Sequence, residues 1–183
     1  GTCLKKDPYI ILDSAKNLGL DLTLIREARK SNELMTQFVG NKIEVFFSDH
    51  QLSSDSKIFI MGVAFKGYPE TSDIRDSSSI DIIQYLKSRK FDHILVYDPV
   101  VSRQTIGEAG LQSVESIEDG FKDSRVVLIM NNHPSYLTIN LFKLAPLMKK
   151  PGLFFDAWHL FQQNEVESIT GIYYQGLGTK KNC

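Results

Sequence analysis

Residues 58–83, IFIMGVAFKGYPETSDIRDSSSIDII, constrain the fold of this chain more than any other stretch. Ile58, Phe59, Ile60, Met61 and Val63 make a short, nearly continuous apolar run, the pattern of a strand covered on both faces and hence of a central parallel strand. Lys66, Gly67 and Pro69 come next, then a polar segment with Asp73, Arg75 and Asp76, and then Ser77, Ser78 and Ser79 ahead of an apolar-periodic run. Serines in that position are helix N-caps. A loop that leaves the carboxyl end of a parallel strand and enters a helix is where open α/β sheets bind ligands, and Lys66 and Arg75 favour an anionic one.

The alternation continues on both sides of this stretch. Residues 80–89 read as a helix with Ile82, Ile83, Tyr85 and Leu86 inward, and residues 93–97 as a second buried strand ending at Asp98 and Pro99. The intervening helix supplies the crossover that parallel pairing needs. Further on, the pattern predicts a helix over 114–124, a strand over 125–130 (RVVLIM), a helix over 138–149, a strand over 153–155 and an edge strand over 172–174. Pro146 predicts a kink or an early end in the helix it interrupts. Upstream, residues 8–17 suit a short helix with Pro8 in its first turn, ended by Gly19. Residues 22–47 suit a long amphipathic helix that Gly40 bends, and the polar run HQLSSDSK (50–57) is a linker. The expected architecture is α/β, a doubly wound, mainly parallel sheet over residues 53–183, preceded by a helical connector over residues 1–52.

Composition narrows the function classes. A chain of 183 residues accommodates one domain and an appendage, and a formal net charge of -1 supplies no general attraction for nucleic acid or a membrane surface. Cys3 and Cys183 sit at opposite ends, with neither metal-ligand nor disulfide spacing, which favours a reducing, cytoplasmic setting. No apolar run approaches the ~20 residues of a membrane span. Lys87, Arg89 and Lys90 read as a solvated helix end, and Lys180 and Lys181 as a disordered tail. No G-x-G-x-x-G follows a strand: the spacing from Gly62 to Gly67 is too long, and no helix follows Gly176 and Gly178. A dinucleotide site is therefore not expected within these residues.

The string GVAFKGYPETSDIRDSSS resembles the opening of the C-terminal, nucleotide-sugar-binding domain of the UDP-glucose/GDP-mannose dehydrogenase family, which reads G-x-A-F-K, a short loop and D-x-R-x-S. Residues 1–7, GTCLKKD, resemble that family's catalytic segment G-G-x-C-L-P-K-D, with Lys5 in the place of its proline. REARKSNELM (26–35) resembles the R-E-x-N-x-x-M stretch of the family's helical connector, and FFDAWHLF (154–161) its D-x-R-N or D-x-W-N-like segment. The resemblance implies a Rossmann-like UDP-sugar-binding domain from a UDP-sugar 6-dehydrogenase, which oxidises the sugar C6 alcohol to a carboxylate with two molecules of NAD.

In that family a cysteine thiolate captures the aldehyde as a thiohemiacetal, and a second hydride loss leaves a thioester for water to cleave. Cys3 would be the nucleophile, Asp7 would polarise the water, and Lys6 would lower the thiol pKa or hold a phosphate. Phe65 and Lys66 would contact the substrate, and Arg75 the cofactor or a phosphate, across a subunit boundary in a homodimer. The family's NAD-binding domain precedes its cysteine, so this sequence reads as a fragment, inactive alone. The substrate would be a UDP-N-acetylhexosamine or UDP-glucose, and the Asp7-Pro8-Tyr9 continuation leans towards the former.

The residues themselves leave rivals open. A noncatalytic nucleotide-binding or interaction module with a doubly wound fold fits the same pattern. A flavodoxin-like or response-regulator domain requires a flavin-phosphate loop or an acidic cluster after the first strand, and Lys66 and Arg75 argue against the acidic version. Cys3 can be an ordinary terminal cysteine. Asn131, Asn132 and His133 end a strand at the ligand edge, where His133 reads more simply as a hydrogen-bonded structural residue. Asp98 reads as a turn residue, and Trp158 either borders a nucleotide or packs half-buried.

Overall fold

Strand β1 (Ile58–Met61) lies inside a six-stranded, wholly parallel sheet of order β3-β2-β1-β4-β5-β6. The other strands are β2 (Ile94–Tyr97), β3 (Gln112–Ser113), β4 (Val126–Ile129), β5 (Gly152–Asp156) and β6 (Ile172–Gly176). The chain winds outwards from β1 through β2 to β3, then returns to β4 on the other side of β1 and winds the opposite way. Adjacent β1 and β4 therefore form the crevice at which the strand order reverses, the place where such sheets bind ligands. The computed structural model describes residues 2–179; Gly1, Cys183 and the tail with Lys180 and Lys181 lie outside them.

Strand alternation divides the core into two layers. Ile58 and Ile60 pack with Ile82, Ile83 and Leu86 of α3 (Ser78–Ser88) and with Val39, Ile43, Phe46 and Phe47 of α2 (Thr23–Asp49). Phe59 and Met61 face the other way, towards Phe121 of α5 (Ile117–Phe121), Leu141 of α6 (Leu141–Leu144) and Val166 of α7 (Gln163–Glu167). Covered on both faces, β1, β4 and β5 are buried at every position, which explains their apolar runs, interrupted only by Asp156 at the end of β5. Helix α3 opens as the serines predict, with the Ser77 side chain accepting from the N–H of Ser79.

Several local expectations are corrected. The first helix, α1 (Thr2–Asn17), begins well before Pro8, which sits inside it. An interior proline removes the N–H that would bond the carbonyl four residues back, here Leu4, and Arg29 Nη1 of α2 donates to that carbonyl at 3.2 Å instead. Gly40 is a contact residue: a Cβ there would stand 2.2 Å from Tyr85 Cε1, so its bare backbone lets α2 settle against α3. The helix predicted over 114–124 shrinks to α5, because Val114 extends the pairing with β2, its N–H donating to Val96 O at 3.0 Å, and Ser116 caps α5. The helix predicted over 138–149 breaks into α6, capped by Asn140, and a 3-10 turn (Ala145–Leu147) around Pro146. Helices α4 (Arg103–Glu108) and α7 and strand β3 have too few apolar residues to announce themselves.

Candidate functional site

The loop that leaves β1 is fixed from two neighbouring strands. Asp98, at the end of β2, is buried and accepts from Val63 N–H at 2.8 Å and Ala64 N–H at 3.0 Å with one oxygen, and from Val100 N–H at 2.9 Å and Val101 N–H at 3.0 Å with the other. It is the turn residue that its place in the sequence implies, and it also pins β1's exit. From β4, Asn131 Nδ2 donates to Ala64 O at 3.3 Å. Asn132 Oδ1 accepts from the N–H groups of Gly67 and Tyr68, each at 3.1 Å. His133 is buried, its Nδ1 bonding to Ser135 N–H at 3.1 Å while Nε2 lies 3.1 Å from Glu70 of the same β1 loop. These contacts give His133 the structural role expected of it.

Above this edge lies a cleft of about 770 Å³ between the α1–α2 pair and the carboxyl ends of the strands. Phe65 from the β1 loop, Met130 after β4, and Ala157 and Trp158 after β5 line one side. Leu4 and Lys5 of α1, with Arg29, Asn32, Glu33 and Thr36 of α2, line the other. Trp158 is 46% exposed, its indole held by a 3.1 Å bond from Nε1 to Met130 O, which leaves a fixed aromatic surface facing the opening. Asp156, fully buried, accepts from the N–H groups of Trp158 at 3.1 Å and Phe161 at 2.9 Å and so shapes the turn that presents the indole.

The charges of this cleft are largely matched. Lys5 Nζ lies 2.8 Å from Asp81 and 3.6 Å from Asp76, and the hydrogen bond to Asp81 holds the lysine's pKa above its ordinary value. Arg29 pairs with Glu33 at 3.3 Å, while its Nε is buried without a hydrogen-bond partner. That leaves a buried donor unsatisfied within the wall of the cleft, a costly arrangement.

The sequence-derived residues are only partly brought together. Phe65 lines the cleft; Lys66, one residue on, sits with Nζ 5.5 Å above the Phe65 ring and has no carboxylate partner among the described residues. Arg75 is exposed and grips Asp73, 2.7 Å from Nη2, and this guanidinium draws the Asp73 carboxyl down to about 2. Cys3, Lys6 and Asp7 are exposed and do not line the cleft. Cys3 and Asp7 share one face of α1, one turn apart, while Leu4 and Lys5 meet the cleft from another. Lys6 lies 3.9 Å from Asp7. Sequence reading overlooked Lys5 and Arg29 as lining residues. The signal for the second was a polar face at helical spacing on α2, Arg29, Asn32, Glu33 and Thr36.

A reversed-order parallel sheet with an aromatic-walled cleft over its switch point defines an α/β ligand-binding domain of the nucleotide-binding type. The family described as the UDP-glucose/GDP-mannose dehydrogenase family, UDP binding domain, matches residues 59–163, and the chain belongs to it. It is similar to the UDP-glucose 6-dehydrogenase TuaD of Bacillus subtilis, 28% identical over 95% of this chain and 37% of the relative. It is also similar to the UDP-N-acetyl-D-mannosamine dehydrogenase of Pyrococcus horikoshii, 27% identical over 97% of this chain and 38% of the relative. The solved structure of the Pyrococcus horikoshii UDP-D-ManNAc dehydrogenase superposes with a TM-score of 0.79 at 26% identity, covering 97% of this chain and 38% of that one. The chain thus spans little more than a third of the length of these relatives.

Proposed function

We propose that this chain is the C-terminal part of an NAD-dependent UDP-sugar 6-dehydrogenase, with residues 1–52 as catalytic segment and connector and residues 53–183 as the UDP-sugar-binding domain. One observation carries the reading: Leu4 and Lys5 of the catalytic-type segment line the same cleft as Phe65 of the G-x-A-F-K motif, although the sequence places them far apart. The UDP-sugar occupies that cleft, with its ring system against Trp158 and Phe65 and its anionic groups reaching out to Lys66, which does not line the cleft but lies beside the lining Phe65, its Nζ 5.5 Å from that ring. Arg75 joins the anion only by leaving Asp73. Cys3 is the covalent nucleophile, Asp7 orients the hydrolytic water and Lys6 favours the thiolate. Relatives named for UDP-glucose and for UDP-N-acetyl-D-mannosamine support either sugar as substrate.

The residues present do not fit the dinucleotide itself. The loop from β1 to α3 runs from Gly62 to Ser77 without the G-x-G-x-x-G turn that brings a dinucleotide pyrophosphate onto a helix N-terminus. NAD on this proposal is bound mainly by a separate NAD-binding domain, with Arg75 as this chain's contribution. A homodimer is supported by Leu34, Phe38 and Val45, exposed along one stripe of α2. A cytoplasmic setting agrees with the free, exposed thiol of Cys3.

In a polypeptide joining this chain to its NAD-binding domain, Cys3→Ser removes net oxidation of the UDP-sugar and leaves its affinity within about two-fold, because the lost interaction forms only after binding. The 183-residue chain alone yields no NADH. Turnover at the wild-type rate in the serine variant, or NADH from the chain alone, would contradict the proposal.

A further inference from the structure

The end of α1 that carries Cys3 has almost no core of its own. The only buried position of α1 among the described residues is Ala15, near the opposite end, and Leu4 is 74% exposed. What holds the Cys3 end is polar. From α2, Arg29 donates to the Leu4 carbonyl at 3.2 Å and Glu33 accepts from the Tyr9 hydroxyl. From the other wall of the cleft, Asp81 in the first turn of α3 and Asp76 just before that helix take the Lys5 ammonium at 2.8 and 3.6 Å. Two adjacent residues next to Cys3 are thus gripped from opposite sides. The second grip exists because Lys5 stands where the resembled catalytic segment has proline, a residue with no charge to offer an aspartate.

We infer that Lys5 is a positioning residue: its clasp on Asp81 and Asp76 docks the Cys3 turn of α1 onto the UDP-sugar-binding domain and sets the thiol's place relative to the cleft. Lys5 acts through Cys3 and itself touches no reacting atom. Its ammonium bridges two elements that otherwise meet only across the cleft, and its neighbour Cys3 moves with it because both lie in one helical turn. A three-charge cluster with one short contact outperforms an isolated surface pair, and the partial burial of its members, with side chains 37% and 35% exposed, limits screening by water. The raised pKa of Lys5 keeps the clasp charged throughout the physiological range. The docking part of the inference stands on geometry alone; its catalytic consequence rests on the dehydrogenase reading.

Amide hydrogen exchange over residues 6–12 of the 183-residue chain reads the docking directly. Lys5→Met and Asp81→Asn are each expected to speed exchange there by about three- to five-fold, the range that surface ion-pair networks support. The double variant exchanges no faster than Lys5→Met alone, and Lys5→Arg restores the wild-type rate. Exchange in Lys5→Met equal to wild type, or additive effects in the double variant, would overturn the clasp. In the polypeptide that includes the NAD-binding domain, Lys5→Met lowers kcat by a larger factor than it changes KM for the UDP-sugar, and Lys5→Arg recovers it. Undiminished kcat in Lys5→Met alongside faster exchange would refute the positioning role. Absence of UDP-sugar oxidation by the wild-type enzyme would instead sink the dehydrogenase reading and leave the exchange result to decide the clasp.

Discussion

Asn132 and Gly67 meet across the switch point of the sheet, the Asn132 Oδ1 accepting from the Gly67 N–H at 3.1 Å and from the next N–H, that of Tyr68, at the same distance. The approach is so close that a Cβ on Gly67 would stand 2.1 Å from the backbone nitrogen of His133. Residue 67 must therefore be glycine for the Lys66 loop to lie against the end of β4. Gly67→Ala is expected to destabilise the fold by ~1 to 3 kcal/mol through this overpacking. Asn132→Ala is expected to cost ~1 to 2 kcal/mol by stranding the buried Gly67 donor. Urea unfolding of both variants measures these losses, and wild-type midpoints would show that the loop is free of β4.

Asp98 serves four backbone donors at once, so it is sensitive even to an isosteric change. In Asp98→Asn the new NH2 faces N–H groups that need an acceptor, and the expected loss is ~1 to 3 kcal/mol. Chemical denaturation reads it; a loss below the error of the method would mean that water replaces the carboxylate there.

Helix α2 is seated on α3 through Gly40 and the face of Tyr85, whose hydroxyl bonds to Glu44 at 2.7 Å and Asn41 at 2.8 Å. Gly40→Ala pushes that ring aside, at an expected ~1 to 3 kcal/mol. Because the clash is with one side chain, Tyr85→Ala in the same chain removes most of the added penalty. Purely additive losses in the double-mutant cycle would place the strain elsewhere.

The Asp73–Arg75 pair carries a defined pH dependence. Asp73 is drawn down from 3.8 to about 2 by the guanidinium, so whatever the pair contributes is fully present above pH 3.8 and is lost as pH falls through about 2. A carboxyl titration followed by NMR should find the Asp73 midpoint near 2; a midpoint near 3.8 would show Arg75 already free for a ligand.

Much of the sheet could be read before folding because β1, β4 and β5 are buried on both faces, and burial on both faces leaves an apolar run that little else in the sequence imitates. Strand β3, Gln112–Ser113, leaves no such trace, since it is a polar pair recruited only by the ladder to β2. The site divides in the same way. Phe65 was legible because a motif and a strand end coincide at it. Lys5 and Arg29 were not, because their place depends on how α1 crosses α2 and the β1 loop, a tertiary fact invisible to local pattern. The matching of Arg75 with Asp73 two residues earlier also has no signature that separates a ligand-binding arginine from a paired one.

We propose that the carboxyl edge between β1 and β4 holds the UDP-sugar, with Lys66 as its uncommitted cation. Calorimetric titration of UDP-glucose and UDP-N-acetylmannosamine into the wild-type enzyme and its Lys66→Ala variant, with a thermal melt of each, tests it most directly. The expected result is an affinity weakened by ~1.5 to 3 kcal/mol, the worth of a hydrogen bond to a charged group, with an unchanged melting temperature. Equal affinity in the two proteins, or a lowered melting temperature with affinity intact, would contradict it.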